Sequence, residues 1–120
     1  MISKSYKILA ILLLILGIAH CTMVFVYFDS LTAEALFSLG TGIGVFFLGL
    51  LNYAAAKVLS PILLTTAVIA NSIQTLYGIV SLTVMNDPQA YAGVLIFLTT
   101  LLMSFVVWKR NAKAKATKFS

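Results

Sequence analysis

Among His, Lys, Arg, Asp and Glu, only His20 lies near the middle of a long apolar run in this chain of 120 residues. A residue of that kind is costly to hold inside a membrane and is a functional-site candidate by default. The run starts at Ile8, so His20 lies about a dozen residues in, at nearly the depth expected for Thr41 in the second run, Asn71 in the third and Thr99 or Thr100 in the fourth. One shared polar layer is therefore expected where the four runs meet. Asn71 and Gln74 recur with Thr75, Gly78 and Ser81 at spacings of three and four, which aligns them along one side of a helix facing protein or a cavity. Each carboxamide has more donors and acceptors than one helical neighbour can satisfy. Two chemistries follow: a polar clamp between helices, or a path or binding site for a small solute or ion. Tyr27 lies two turns from His20 on the same face and Glu34 stands near that mouth, so a cleft from Glu34 and Tyr27 down to His20 is geometrically permitted.

What is missing narrows the chemistry further. No carboxylate falls at mid-run, so a proton-coupled cation exporter of the small multidrug type lacks its central acid. One histidine cannot supply two axial imidazoles to a haem within one chain, and pairing it with Met23 or Met103 has no support. No Cys/His cluster points to zinc, and no glycine-rich loop opens a helix as a nucleotide site does. With no nucleophile, base and orienting group in a recognisable set, no catalytic residue is assigned, and no metal or cofactor is expected. Catalysis would need a quinone, lipid or other partner to supply the reactive chemistry.

The elements that must position these residues are membrane spans. With 62% apolar and 9% charged residues and a mean hydropathy of +1.09, the composition lies far outside that of soluble domains. About 20 apolar residues cross the hydrocarbon core, so four helices use most of the chain and leave short connections. The expected fold is all-α, a polytopic membrane protein with four transmembrane helices in an antiparallel up-down bundle. The spans are read as about 7–28, 32–53, 61–83 and 88–108, followed by a basic tail over 109–120. Asp29, Ser30 and Thr32 offer oxygens to cap the second helix, with Glu34 in its first turn. Ser60-Pro61 and Asp87-Pro88 each read as a cap followed by proline at the first helical position.

Charge gives the orientation. Lys4 and Lys7 precede the first run, Lys57 lies between the second and third, and Lys109, Arg110, Lys113, Lys115 and Lys118 follow the fourth. Asp29, Glu34 and Asp87 occupy the two opposite turns. Short loops rich in Lys and Arg stay cytoplasmic, so both termini are expected inside. Tyr6, Tyr53 and Trp108 map to the inner interface, and Tyr27 and Tyr91 to the outer, as amphipathic rings prefer. The net charge of +5 reflects this topology and attraction to anionic headgroups, so no nucleic-acid partner is expected.

The first run resembles a signal peptide at its start. It continues through Val24, Phe25 and Val26 to Phe28 with no small-x-small site, so cleavage is not expected. His20 stands where lipoprotein processing before Cys21 would need a small residue, and Cys21, the sole cysteine, has no disulfide partner and reads as a packing residue. Gly40 and Gly44 form a GxxxG pair for helix packing, either within the bundle or between two copies in a homodimer. Gly17 with Cys21 is a second small pair.

In length, four-span layout and the segment Gly17-Ile18-Ala19-His20, the chain resembles the DoxX-like group of small bacterial membrane proteins. The resemblance implies a multi-pass protein of the bacterial inner membrane. That group carries charged residues within or beside its spans, which this chain largely lacks, so the resemblance assigns no functional residue. Gly49-Leu50-Leu51-Asn52 is a further feature at the inner end of span two, with Asn52 placed to cap or to bond a neighbour. The expected function is that of a small membrane binding or assembly component with the lipid bilayer, a second copy, or a small-molecule or lipid ligand as partner. The alternatives are a transport or channel subunit built on His20, Asn71 and Gln74, and an oxidoreductase accessory that binds quinone or haem.

Overall fold

The computed structural model describes all 120 residues as four helices without a strand: α1 (Ile2–Tyr27), α2 (Ala33–Val58), α3 (Pro61–Ser81) and α4 (Pro88–Phe119). All four are long and apolar enough to cross a membrane. Each contains the expected span or nearly so. α1 starts earlier, α2 runs on to Val58, and α3 stops at Ser81 rather than at 83. At the C-terminus the basic residues of the tail continue α4 as helix to Phe119.

The boundaries follow local chemistry. Thr32 Oγ1 accepts from the Ala35 N–H at 3.1 Å, and Asp87 Oδ1 accepts from the Ala90 N–H at 2.8 Å, so α2 and α4 have the side-chain caps their sequences promise. Ser60 makes no such bond; Pro61 at the first helical position starts α3 without it. The two-residue link between α2 and α3 turns at Leu59, whose φ of 55° is the only positive value outside glycine. A left-handed leucine costs about 1–2 kcal/mol, and glycine is the usual residue at such helix ends. Leu59→Gly should therefore leave the helices unchanged and raise stability by up to about 1 kcal/mol, read as a shift in the detergent-denaturation midpoint. A lower midpoint would mean that the Leu59 side chain anchors the turn.

α1 packs most extensively on α2 and α3 on α4, while smaller α2–α3 and α1–α4 contacts close the ring. Glycine decides how closely α1 meets α2. A methyl group built on Gly17 would come within 2.5 Å of the Phe46 backbone nitrogen, and one on Gly49 within 2.8 Å of the Leu14 nitrogen. Gly42 faces Cys21, whose sulfur would lie 2.6 Å from such a methyl. The small pair that packs α1 is thus Gly17 with Cys21, and its counterparts are Gly42 and Gly49. Gly40 and Gly44, expected as packing residues, have nothing within 4 Å of a built methyl and lie bare on the outer face of α2.

Only 22 residues are buried, and large apolar side chains such as Phe37, Ile62, Ile73 and Leu95 stand exposed on the outside. Such an exterior suits a bilayer, where lipid tails replace water as the solvent. Inside, Tyr6, Ala55, Ala56, Leu64, Ala67 and Val107 form one apolar cluster, and Leu13, Val45, Leu48 and Phe97 form another.

Candidate functional site

Four buried polar side chains, Tyr6, Asn52, Asn71 and Ser104, converge on one network. Tyr6 donates its hydroxyl to Asn52 Oδ1 at 2.7 Å. Asn52 and Asn71 pair amide to amide, each Nδ2 donating to the other's Oδ1 at 2.9 and 2.8 Å. The second N–H of Asn52 goes to the Leu48 carbonyl at 2.8 Å, and that of Asn71 to Ser104 Oγ at 3.0 Å. Ser104 passes its own proton to the Leu101 carbonyl at 2.8 Å. One residue from each of the four helices takes part, and every side-chain donor among them is used. All four are fully buried or nearly so, and no buried side-chain nitrogen or oxygen in the chain lacks a partner. In a medium without water such closure is what makes polar groups tolerable, and it ties the helices to one register.

Local sequence explains why these side chains meet. Asn52 projects inward from the same side of α2 as Leu48, Ala55 and Ala56, all buried. Asn71 shares its side of α3 with Leu64, Ala67, Thr75 and Gly78, also buried. Thr75 donates its hydroxyl back to the Asn71 carbonyl at 2.7 Å, which uses its one proton within α3. The small Ala67 and Ala55 leave room for the Tyr6 ring beside the amide pair.

His20 stands apart from this network. Its Nε2 lies 3.2 Å from Ser38 Oγ, within hydrogen-bond distance, and both residues are half-buried. Ser38 and Asn52 are fourteen residues apart on α2, so the His20 pair and the Asn71 pair are separated by about 21 Å along the helix axis. The single polar layer expected from residue counting is therefore two sites at different depths. Thr41 bonds back to the Phe37 carbonyl at 3.0 Å. Gln74 is half-buried without a hydrogen-bond partner in the chain. Tyr27 and Glu34 are both exposed and make no side-chain hydrogen bond. The Ser38–His20 spacing is that of a nucleophile and base, but no carboxylate holds the other imidazole nitrogen.

On the outside, an open groove of about 500 Å³ runs between α1 and α2, lined by Gly17, Ile18, Cys21, Phe25, Ile43 and Phe46 among others. It is apolar, and Thr22 at its edge bonds back to Ile18, so an alkyl chain matches it better than a polar solute. No three His, Cys, Asp or Glu side chains cluster as metal ligands would. Sequence reasoning singled out Asn71 and noted Asn52 without a role; Tyr6 and Ser104 it missed as site residues. The available signal was a polar residue within an otherwise apolar helical face, which Asn52 and Ser104 both show.

Comparison with known protein families, with curated proteins and with solved structures gives no match for this chain.

Proposed function

We propose that the chain is a small multi-pass protein of the bacterial inner membrane that acts as a binding or assembly component, presenting the outer face of α2 to a second copy of itself. Its helices run up and down, antiparallel to their neighbours, with both termini and the Lys57 turn in the cytoplasm. The one-sided basic residues support this orientation. The order of contacts, in which Tyr6 meets Asn52, Gly17 meets Phe46 and Cys21 meets Leu39, supports the antiparallel course of α1 and α2. The DoxX-like resemblance enters only through the four-span layout and the Gly17–His20 segment.

The observation that carries the reading is the closed network around Asn52 and Asn71. A polar path for a solute needs side chains with free valences in the interior, whereas these spend theirs on one another. The surface is different. Gly40 and Gly44 leave bare backbone on α2 between Phe37 and Phe47, the arrangement through which GxxxG helices associate. Native mass spectrometry of protein extracted gently from its membrane tests this. A dimer is expected, and Gly40→Leu with Gly44→Leu should reduce it to a folded monomer. A wild-type monomer without a retained partner would sink the assembly reading.

The second reading is transport of a small solute, and the half-buried His20–Ser38 pair together with the unpartnered Gln74 favours it. Saturable flux into liposomes that His20→Ala abolishes would establish it in place of the first. A quinone or haem accessory role would appear in the same mass spectrum as a retained molecule.

A further inference from the structure

α4 does not end with the bundle. Its last side chain buried among the other helices is Val107, and from Lys109 to Ser120 every residue but Asn111 is exposed. This extension is helical through Phe119 and carries Lys109, Arg110, Lys113, Lys115 and Lys118 without an acidic residue. Its side chains are not evenly mixed. Ala112, Ala116 and Phe119 follow Trp108 at spacings of four, four and three, which makes them one stripe along the helix. Lys109 and Lys113 border the stripe on one side and Lys115 and Lys118 on the other, and Phe119 at its end is 87% exposed.

We propose that residues 109–119 are an amphipathic arm that docks on anionic phospholipid headgroups at the membrane face from which it emerges. A narrow apolar edge ending in an aromatic ring and flanked by cations is the pattern of a helix lying in the interface. Upright, the arm would reach about 17 Å beyond Trp108, while the headgroup layer is about 5–7 Å deep. Lys115, Lys118 and Phe119 would then stand beyond the headgroup layer, the last two about a Debye length from it, where its surface potential is largely screened. Lying down brings Lys109, Lys113, Lys115 and Lys118 to the headgroups and the Phe119 ring to the acyl boundary. α4 has no glycine or proline after Gly93, so the bend must open hydrogen bonds in the turn after Trp108, where exposed backbone can bond to water instead. The chain offers no internal counter-charge, since Asp29, Glu34 and Asp87 are at the opposite turns.

The test uses the unmodified full chain in nanodiscs of phosphatidylglycerol or of phosphatidylcholine, with trypsin cleavage after Lys113 and Lys115 followed by mass spectrometry. Cleavage is expected to be slower in phosphatidylglycerol on the order of tenfold, and half-molar salt should remove the difference. A second measurement places a single tryptophan at the arm's end by Phe119→Trp with Trp108→Phe. Its emission should shift to the blue and be quenched by brominated acyl chains in phosphatidylglycerol alone. Equal cleavage in both lipids, or an unquenched tryptophan in phosphatidylglycerol, would overturn the proposal and leave an acidic protein as the arm's counterpart.

Discussion

Gly17→Ala is expected to loosen α1 from α2 and to lower stability by about 2 kcal/mol, although alanine is the better helix former. The added methyl would sit 2.5 Å from the Phe46 nitrogen and 2.8 Å from both the Phe46 Cα and the Gly42 oxygen. All three are backbone atoms, so no rotamer change relieves the clash and one helix must move. Overpacking of this kind costs about 1–3 kcal/mol and here belongs at the upper end, while the propensity gain of about 1 kcal/mol offsets only part of it. Gly49→Ala should behave similarly, because it meets the Leu14 nitrogen and the Ala10 oxygen. Gly42→Ala should cost less, since its nearest obstacle is the Cys21 sulfur, a side-chain atom that can turn aside. Gly40→Ala and Gly44→Ala meet nothing and should be neutral or slightly stabilising in the monomer. Reversible unfolding in mixed detergent micelles ranks the five variants. If Gly17→Ala matched Gly40→Ala, the close α1–α2 approach would be wrong.

That ranking marks where sequence reading succeeds and where it stops. Helix existence is local: apolar runs, Asp87-Pro88 and Thr32 are recognised without knowing what they touch, and all four helices follow. Which face of a helix turns inward is not local. Gly40 with Gly44 and Gly17 with Cys21 have the same spacing, yet only the second pair meets a neighbour, because the inward side of α2 is set by Gly42, Val45, Leu48 and Asn52 together. Depth is harder still. Counting from the start of each run placed His20 level with Asn71, which holds only if the first and third runs begin at the same depth. α1 and α2 instead settle where their glycines interlock, which sets His20 beside Ser38 and leaves Asn71 to Asn52, about 21 Å away. The continuation of α4 past Trp108 was missed for a related reason: a basic stretch without an apolar face to the bundle reads as tail, although Ala112, Ala114 and Ala116 are strong helix formers nucleated by the span before them.

Asn71→Leu is expected to destabilise the bundle by about 2–4 kcal/mol, and the way that loss combines with a second substitution identifies what Asn71 is for. Its side chain takes part in three hydrogen bonds, two with Asn52 and one to Ser104. Single hydrogen bonds between membrane helices contribute about 0.6 kcal/mol on average and up to about 1.7, so three lost together reach the stated range once an unpaired Asn52 N–H is added. Asn52→Leu should cost at least as much, because it also leaves the buried Tyr6 hydroxyl without an acceptor. The double variant removes both halves of the amide pair and orphans less than the two single changes do separately. It should therefore be more stable than the sum of their losses predicts, by about 1–2 kcal/mol, and adding Tyr6→Phe should recover more by removing the last stranded donor. Strict additivity would mean that the two amides do not bond to each other. A ligand-binding asparagine behaves differently: its loss weakens binding while leaving the empty protein as stable as before. If Asn71→Leu left the ligand-free unfolding midpoint unchanged, the network would not be the clamp that closes the interior, and the argument against a solute path between these helices would fall with it.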